Sequence, residues 1–301
     1  MNTPIFFDLQ DLISNTIDNS HKYSIEKNTI AVYDSGVGGL TIVKELEKFL
    51  PNFNILYLAD NAWFPYGTKS ELDLIRRVNY LVDKLISDVK PSAIIVACNT
   101  ASTAISSRLS AANRVPLFGV SPPITEALRS SSTKQIVLLA TPSTIQRKGI
   151  RKVIAQTLSL GQVSCIGSIE LVKLAEEKLA GEKISVAALE KLGDQLIPPN
   201  LRNQIDTIIL GCTHFPHMEH ELKILFPNVK HFINPAYKVA QTVSNFLSSL
   251  KITSTNQKTG NRFLFLTSTH NFQEMKKVFS AYGFTYAWIP WIDEQLTEMV
   301  A

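Results

Sequence analysis

The sequence predicts an α/β fold made of two similar domains with parallel sheets. Short apolar runs alternate with longer amphipathic stretches from Thr29 onwards, which is typical of parallel strands joined by right-handed helical crossovers. The alternation restarts after Pro122-Pro123, so the same pattern occurs twice along the chain. A length of 301 residues is sufficient for two domains of ordinary size.

The composition excludes several classes of protein. The chain is 45% hydrophobic and 19% charged, so it can bury a sizeable core. Its net charge of +4 gives no reason to expect nucleic acid or an anionic membrane as a partner. No apolar run has the roughly 18 residues that a membrane span needs. The 3 cysteines exclude a disulfide framework and favour a reduced, cytoplasmic setting.

Residues 1–28 are predicted to form an N-terminal extension. Residues 1–20 contain no Lys or Arg, so the basic region of a secretory signal is missing. The run Ile5-Phe6-Phe7 and the apolar residues after it fit a short amphipathic helix. We expect the extension to pack on the body of the protein. A regulatory or dimer-contacting arm is the alternative, and a homodimer is one candidate assembly.

In the first half, local residue types predict each element in turn. The stretch Leu40–Leu50 predicts a helix that ends at Pro51, and Ser70 followed by Asp73 predicts the start of a helix that extends to about Val89. Continuous apolar runs predict buried strands at Thr29–Tyr33, Ile55–Ala59, Ala93–Ala97 and Val115–Val120.

In the second half, the same patterns predict helices within Thr141–Leu158, at Ile169–Leu179 and at Asn271–Ala281. The predicted strands are Gln135–Ala140, Thr207–Leu210, Phe263–Leu266 and Tyr286–Ile289.

Two crossovers define the predicted domain boundaries. The consecutive prolines Pro122-Pro123 suit a stiff crossover better than the interior of an element, and a second crossover is expected near Asn234-Pro235. We therefore predict a first α/β domain of residues 29–121 plus 235–301 and a second of residues 122–234.

Two cysteines occupy matching positions in the two halves. Ile94–Thr100 and Ile208–His214 each contain an apolar strand, a small residue, a cysteine and short polar side chains. This echo predicts domains related by pseudo-two-fold symmetry. Ligands of open α/β sheets bind beyond the carboxyl ends of the strands, so Cys98 and Cys212 are expected at one site in the cleft between the domains. Cys165 lacks such polar neighbours, and we interpret it as a filler of the core or surface.

Two thiols in such contexts favour acid–base chemistry. The cysteines do not form C-x-x-C. His214, His217 and His220 are spaced by three, but Pro216 places His214 outside their helix, so we expect no metal. One thiol could remove a proton from one face of a carbon while the other returns a proton to the opposite face. A thiol pKa of about 8.5 needs only modest tuning for this task.

Two loops are candidate ligand contacts. The loop Asp34–Gly39 contains G-V-G-G rather than a dinucleotide pattern, and its glycines let the backbone approach an anion, for which a carboxylate is the better interpretation. Asp34 is either a cap or a base that holds the nearby thiol in its working state. Pro65–Thr68 is either a turn or a lid whose Tyr66 hydroxyl and backbone N–H groups grip a carboxylate. His214 is either structural or a partner of Cys212.

Four segments together resemble the glutamate racemases, which are cofactor-independent amino-acid racemases of the aspartate/glutamate racemase family. The segments are Asp34–Leu40, Pro65–Thr68, Ala97–Ser102 and Leu210–Pro216. The resemblance is close over residues 29–235, looser beyond them and absent from residues 1–28. It implies interconversion of L- and D-glutamate without pyridoxal phosphate or another cofactor, which supplies D-glutamate for peptidoglycan and hence for the cell wall and cell shape.

The resemblance also implies roles for individual residues. Cys98 and Cys212 would be the proton donor and acceptor, assisted by Asp34 and His214, and Glu176 would be the acidic residue near the second thiol. The substrate contacts would come from Asp34, Ser35, Tyr66, Gly67, Asn99, Thr100, Thr141, Thr144, Thr213 and His214.

Several positions depart from the pattern of this family. Trp63 stands where an Arg is usual, Arg147 and Ile150 replace a Ser and a Tyr, and Ser121-Pro122-Pro123 replaces an acidic-proline link. These changes concern loop packing and the hinge more than the chemistry.

Two alternatives stay open. The same thiols would serve a racemase of aspartate or another small acidic amino acid, because one methylene changes the size of a pocket rather than a motif. A non-catalytic module that senses an amino acid in the cleft is the alternative from another class. It predicts that Cys98→Ser and Cys212→Ser variants keep their full biological effect.

Overall fold

The chain forms two open sheets with helices on their faces. The computed structural model describes residues 5–8, 28–109, 115–252 and 260–289. Its strands are β1 Ile5–Asp8, β2 Thr29–Asp34, β3 Asn54–Ala59, β4 Ala93–Val96, β5 Leu117–Gly119, β6 Gln135–Ala140, β7 Gln162–Gly167, β8 Thr207–Leu210, β9 His231–Ile233, β10 Arg262–Leu266 and β11 Tyr286–Ile289.

The helices connect these strands and cover both sheets. They are α1 Leu40–Phe49, α2 Glu71–Asp88, α3 Asn99–Ala104, α4 Ser106–Leu109, α5 Ile124–Ser130, α6 Pro142–Gln146, α7 Lys148–Gln156, α8 Glu170–Ala180, α9 Val186–Leu196, α10 Pro199–Arg202, α11 Glu219–Leu225, α12 Ala236–Ser249 and α13 Phe272–Ala281. Short 3₁₀ turns lie at Asn61–Trp63, Tyr66–Thr68 and Phe215–Met218.

The larger sheet has the strand order β1-β11-β10-β3-β2-β4-β5. Neighbouring strands are parallel apart from β1, which pairs antiparallel with β11. Strand β2 is buried on both faces: Ile30 and Val32 join one core cluster, and Ala31 and Tyr33 join the other. Burial on both faces explains why the sequence of this strand is continuously apolar instead of alternating.

The smaller sheet has the order β7-β6-β8-β9, and all of its pairs are parallel. Core clusters cover both faces of its central strands β6 and β8. We call the elements around the two sheets the large-sheet half and the small-sheet half. The predicted fold class of two α/β units with parallel sheets is confirmed, with β1 as the one antiparallel strand among the described residues.

Helix starts follow their local residue chemistry. The hydroxyl of Ser70 accepts a hydrogen bond from the backbone N–H of Asp73, as expected for an N-cap. Helix α2 then buries Leu74, Val78 and Leu81 in one core cluster of the large-sheet half. The loop before Ser70 follows the carboxyl end of β3, so it lies at the carboxyl edge of the sheet.

The prediction of an amphipathic helix at Ile5-Phe6-Phe7 is wrong, because Ile5–Asp8 is a strand whose backbone pairs with β11. The other apolar residues of that predicted helix lie outside the described residues. The predicted domain boundaries stay a prediction. Within the described ranges, no helix combines the length and the apolar character that crossing a membrane requires.

Candidate active site

The loop after β2 brings the two halves of the molecule into contact. Asp34 is fully buried at the end of β2, where its carboxylate accepts hydrogen bonds from the Gly36 N–H at 3.1 Å and from the Thr213 hydroxyl at 3.0 Å. Burial raises the pKa of Asp34 to about 6, although the positive charge of His214 opposes this shift. A Cβ atom at Gly38 would lie 2.5 Å from the Thr213 hydroxyl, so glycine permits this close approach.

Cys98 lies between the end of β4 and the start of α3. It is the N-cap residue of α3, and its side chain is 7% exposed. The Ser35 hydroxyl donates to its sulfur at 3.9 Å. Burial raises the pKa of the Cys98 thiol, and the negative charge of Asp34 raises it further. The surroundings of Cys98 therefore favour the protonated thiol.

Cys212 heads a chain of polar groups at the end of β8. Its sulfur lies 3.7 Å from His214 Nδ1, and His214 Nε2 lies 2.6 Å from Glu176 Oε1. Burial would lower the pKa of His214, but its hydrogen bonds to Cys212 and Glu176 outweigh this effect and hold the pKa well above its usual value. His214 is therefore a cation that faces the second thiol.

Glu176 also binds the other half of the molecule. It lies on α8 of the small-sheet half, and its Oε1 accepts a hydrogen bond from the Val37 N–H at 3.1 Å. The carboxylate thus holds His214 on one side and the backbone after Asp34 on the other. Glu176 is thus connected to the second thiol through His214.

Both thiols line one narrow cavity between the halves. Its other walls are Ser35, Phe64, Pro65, Tyr66, Gly67, Thr100, Thr141, Ile169, Val172, Thr213 and His214. Asn99 borders a second, smaller cavity that shares Cys212 and Thr213 with the first. Its Oδ1 is buried and has no hydrogen-bond partner within the described ranges.

Three threonine hydroxyls join the halves beside this cavity. Thr100 Oγ1 lies 3.0 Å from Thr141 Oγ1 and 3.2 Å from Thr144 Oγ1, and the last two are 2.9 Å apart. Thr141 is also the N-cap of α6. Thr100 and Thr141 border the cavity, whereas Thr144 is fully buried behind them.

A sequence model of one family, described as Asp/Glu/Hydantoin racemase, matches residues 40–237 of the chain. The chain belongs to this racemase family. The match includes both thiols and the His214–Glu176 pair.

Curated relatives and solved structures named glutamate racemases match this chain over most of its length. A glutamate racemase from Pasteurella multocida is 37% identical over 85% of this chain and 94% of its own length. One from Actinobacillus pleuropneumoniae is 41% identical over 74% of this chain and 83% of its own length. The crystal structure of Escherichia coli glutamate racemase with L-glutamate and the activator UDP-MurNAc-Ala is 32% identical, covers 86% of this chain and 97% of that chain, and has a TM-score of 0.77.

One predicted contact of this racemase is placed differently from the expectation. The Tyr66 hydroxyl donates to Asp60 and contacts the Tyr33 hydroxyl, and the side chain is 1% exposed. The structure therefore assigns this hydroxyl to an internal network instead of the cavity. Tyr66 and Gly67 line the cavity, and Tyr66 packs in the same core cluster as Cys98.

Sequence reasoning missed the ion pair next to Tyr66. Arg77 and Asp60 are both fully buried and paired at 2.7 Å. The signal was present in α2, because Arg77 lies three residues after Leu74 on its apolar stripe. Cys165, in contrast, is exposed on the edge strand β7. No three His, Cys, Asp or Glu side chains within the described ranges are grouped to hold a metal ion.

Proposed function

We propose that this protein interconverts L- and D-glutamate by proton transfer between the α-carbon and two thiols. The observation that carries the proposal is the single cavity lined by Cys98 and Cys212, each with its own polar partners. The relatives named glutamate racemases, which match most of the chain at 37% and 41% identity, support glutamate as the substrate.

The polar partners of the two thiols differ. The cationic His214 faces Cys212, whereas burial and Asp34 favour a protonated Cys98. In one direction of the reaction Cys212 takes the α-proton from one face of the substrate, and the Cys98 thiol gives its proton to the other face. One proton is removed and one is added, so the product is the mirror image and the two thiols have exchanged states. The other enantiomer reacts in the reverse direction, with the protonation states of the two thiols exchanged.

The carbanion formed between these steps needs stabilisation by oriented donors. Ser35, Thr100 and Thr213 line the cavity, with their hydroxyls hydrogen-bonded to Cys98, to Thr141 and to Asp34, and the buried Asn99 lies next to it. Donors fixed in a closed, low-dielectric site stabilise developing charge more than water does. These groups are therefore our candidates for binding the α-carboxylate.

The same proposal includes a biological setting. Both thiols must stay reduced to exchange protons, which fits a cytoplasmic enzyme. The D-glutamate formed would supply peptidoglycan synthesis.

Deuterium incorporation tests the proposed reaction. Pyridoxal-free protein in deuterated water should convert L-glutamate into D-glutamate that carries deuterium at the α-carbon, while the remaining L-glutamate stays protiated at early times. Two thiols on opposite faces require this pattern, because the removed proton is not the one returned. Aspartate under the same conditions measures the preference between the two acids. If no D-glutamate with deuterium at its α-carbon forms from L-glutamate, the proposal is overturned.

Removing either thiol tests their roles. We expect Cys98→Ser and Cys212→Ser each to lower kcat by about 10²- to 10⁴-fold in both directions, the usual contribution of a positioned acid or base. Cys165→Ser is the matched control, because this thiol is exposed on β7 away from the cavity, and its kcat should equal that of the wild type. Full turnover by a Cys98→Ser or Cys212→Ser variant would contradict the two-thiol mechanism.

A further inference from the structure

A buried ion pair lies directly behind the cavity wall. Arg77 is fully buried on α2, and its guanidinium donates from Nε to Asp60 Oδ2 at 3.0 Å and from Nη2 to Asp60 Oδ1 at 2.7 Å. A bidentate pair fixes both the position and the orientation of the carboxylate. Neither residue borders the cavity, so neither touches the substrate of the proposed reaction.

Asp60, held in place by Arg77, is hydrogen-bonded in turn to the loop that borders the cavity. Its carboxylate also accepts hydrogen bonds from the Tyr66 hydroxyl and from the Thr267 hydroxyl, the latter at 2.7 Å. The Tyr33 hydroxyl contacts the Tyr66 hydroxyl from β2. Burial raises the pKa of Tyr66 and the charge of Asp60 raises it further, so the hydroxyl keeps its proton and stays a donor.

The loop around Tyr66 has little freedom on its other sides. The Trp63 ring centroid lies 5.2 Å from the Arg77 guanidinium of α2 and 5.4 Å from the ammonium of Lys69, the residue after the loop. A Cβ atom at Gly67 would lie 2.8 Å from Ile169 Cδ1 of the small-sheet half. A small shift of this loop would therefore change the shape of the cavity.

We propose that Arg77 is a positioning residue, which acts through Asp60 and Tyr66 to fix the loop Pro65–Thr68 as the cavity wall beside Cys98. This inference rests on the proposed function for its catalytic consequence. Without the guanidinium, a carboxylate in this buried place would lack its counter-charge and two of its hydrogen-bond donors, and it would turn to other donors such as water. This change would loosen its bond to Tyr66 and the wall next to the thiol.

Kinetics and thiol labelling together test this role. All variants carry Cys165→Ser, so that only Cys98 and Cys212 react with iodoacetamide, and peptide mass spectrometry follows each labelling rate. We expect Arg77→Met to raise the KM for both enantiomers about tenfold or more and to raise the labelling rate of Cys98 several-fold more than that of Cys212. Tyr66→Phe should shift both quantities in the same direction, and Arg77→Lys should restore part of each because it returns the charge.

Arg202→Met is the matched control. Arg202 also stacks on an aromatic ring, 5.6 Å from Phe226, and pairs with Asp194 at 2.9 Å, but it lies away from the cavity. Its KM and its ratio of Cys98 to Cys212 labelling should equal those of the parent.

Two outcomes would overturn the inference. One is a folded Arg77→Met variant with the parental KM and labelling ratio. The other, which decides the case if Arg77→Met does not fold, is a Tyr66→Phe variant with both quantities unchanged. Failure of the proposed function is distinguishable, because it would show as a parent without glutamate turnover, whereas the labelling ratio still reports the wall.

Discussion

At the scale of single residues, the pKa values of two buried aspartates are shifted in opposite directions. Burial raises the pKa of Asp34 to about 6, and its few hydrogen bonds do not reverse this. Burial also acts to raise the pKa of Asp206, but hydrogen bonds from Ser131, Ser132 and Thr207 outweigh it and lower the pKa to about 2. Asp206 therefore stabilises the fold as a carboxylate, whereas Asp34 is held at a cost to stability beside the thiols.

Asp34→Asn should stabilise the protein while it impairs the reaction. The pKa of Asp34 is raised from 3.8 to about 6, so its carboxylate lowers the stability of the folded state above pH 6, and this penalty disappears as the pH falls towards 4. We expect the variant to gain up to about 3 kcal/mol in the free energy of unfolding at pH 7 and nothing at pH 4. Urea unfolding across this pH range measures the difference.

Asp206→Asn, in contrast, should lower the free energy of unfolding at pH 7. Its folded-state pKa is lowered, so the carboxylate stabilises the fold above the unfolded value of 3.8, and this contribution is lost as the pH falls through 2. Loss of the charged acceptor for the Ser131 hydroxyl and the Ser132 N–H should cost about 1–2 kcal/mol at pH 7. An Asp206→Asn variant as stable as the wild type at pH 7 would contradict this account.

At the scale of elements, helix α8 couples the two halves. It buries Leu171, Val172 and Ala175 in the core of the small-sheet half, while Glu176 reaches the Val37 N–H of the large-sheet half. Lys277 on α13 donates to the carbonyl of Ala180 at the carboxyl end of α8, where the partial negative charge of the helix favours a cation. The helix is thus held to the large-sheet half at both its middle and its end.

Glu176→Gln should lower the pKa of His214. The carboxylate is one of the two hydrogen-bond partners that raise this pKa, so its removal makes the imidazolium lose its proton at a lower pH. We expect the alkaline limb of the kcat profile to move to lower pH by about one unit. NMR titration of the His214 ring measures the same shift directly.

Glu177→Gln is the matched control, because Glu177 is the next residue of α8 and is exposed. It should leave both the His214 titration and the kcat profile unchanged. An unchanged His214 pKa in Glu176→Gln would show that the carboxylate does not set the charge of this histidine.

At the scale of the whole molecule, the cavity is enclosed by contacts between the halves. Arg147 of the small-sheet half is 6% exposed and pairs with Glu71 at the start of α2 at 2.6 Å, beside the loop Tyr66–Thr68. The threonine hydroxyls Thr100 and Thr141 meet on the inner side of the same contact. These contacts join the halves on both sides of the cavity that contains the thiols.

Arg147→Met should open this contact. Because the Arg147–Glu71 pair links the halves and one partner is exposed, we expect its loss to raise the labelling rates of Cys98 and Cys212 together by about two- to fivefold, in line with about 1 kcal/mol for such a pair. High salt should also raise both labelling rates of the wild type, because it screens the attraction between Arg147 and Glu71. Peptide mass spectrometry after brief alkylation measures both rates.

Lys223→Met provides the comparison, because the Lys223–Glu219 pair lies within one helix and does not join the halves. Its labelling rates should match those of the wild type. If Arg147→Met raises the labelling rate of Cys98 alone, the Arg147–Glu71 pair acts on the loop Pro65–Thr68 and does not hold the two halves together.

The sequence predicted the central strands to within one residue. Thr207–Leu210 was predicted with the observed bounds, and β2 and β4 differ from their predictions by one residue at one end. These strands are buried on both faces, so burial alone makes them continuously apolar. The strands β1 and β9 were missed because they are short edge strands of four and three residues, which owe their conformation to pairing with distant neighbours.

The candidate site was predictable where residues follow strand ends. Cys98 and Cys212 occur in the same context twice, and the parallel topology then brings them to one cavity. The Arg77–Asp60 pair and the Arg147–Glu71 pair were not predicted, since each joins side chains that only the tertiary structure brings together. The hydrogen bond from the Tyr66 hydroxyl to Asp60 was not predicted either, for the same reason.

Strand β1 protects the margin of the larger sheet. Its backbone occupies the hydrogen-bonding groups of β11 from Ile5↔Ile289 to Asp8↔Tyr286. A protein trimmed of residues 1–8 would present β11 as an unpaired border, and such borders recruit strands from other molecules. Trimmed protein is therefore expected to aggregate on storage sooner than the intact chain, with its catalytic chemistry untouched in the molecules that remain dispersed.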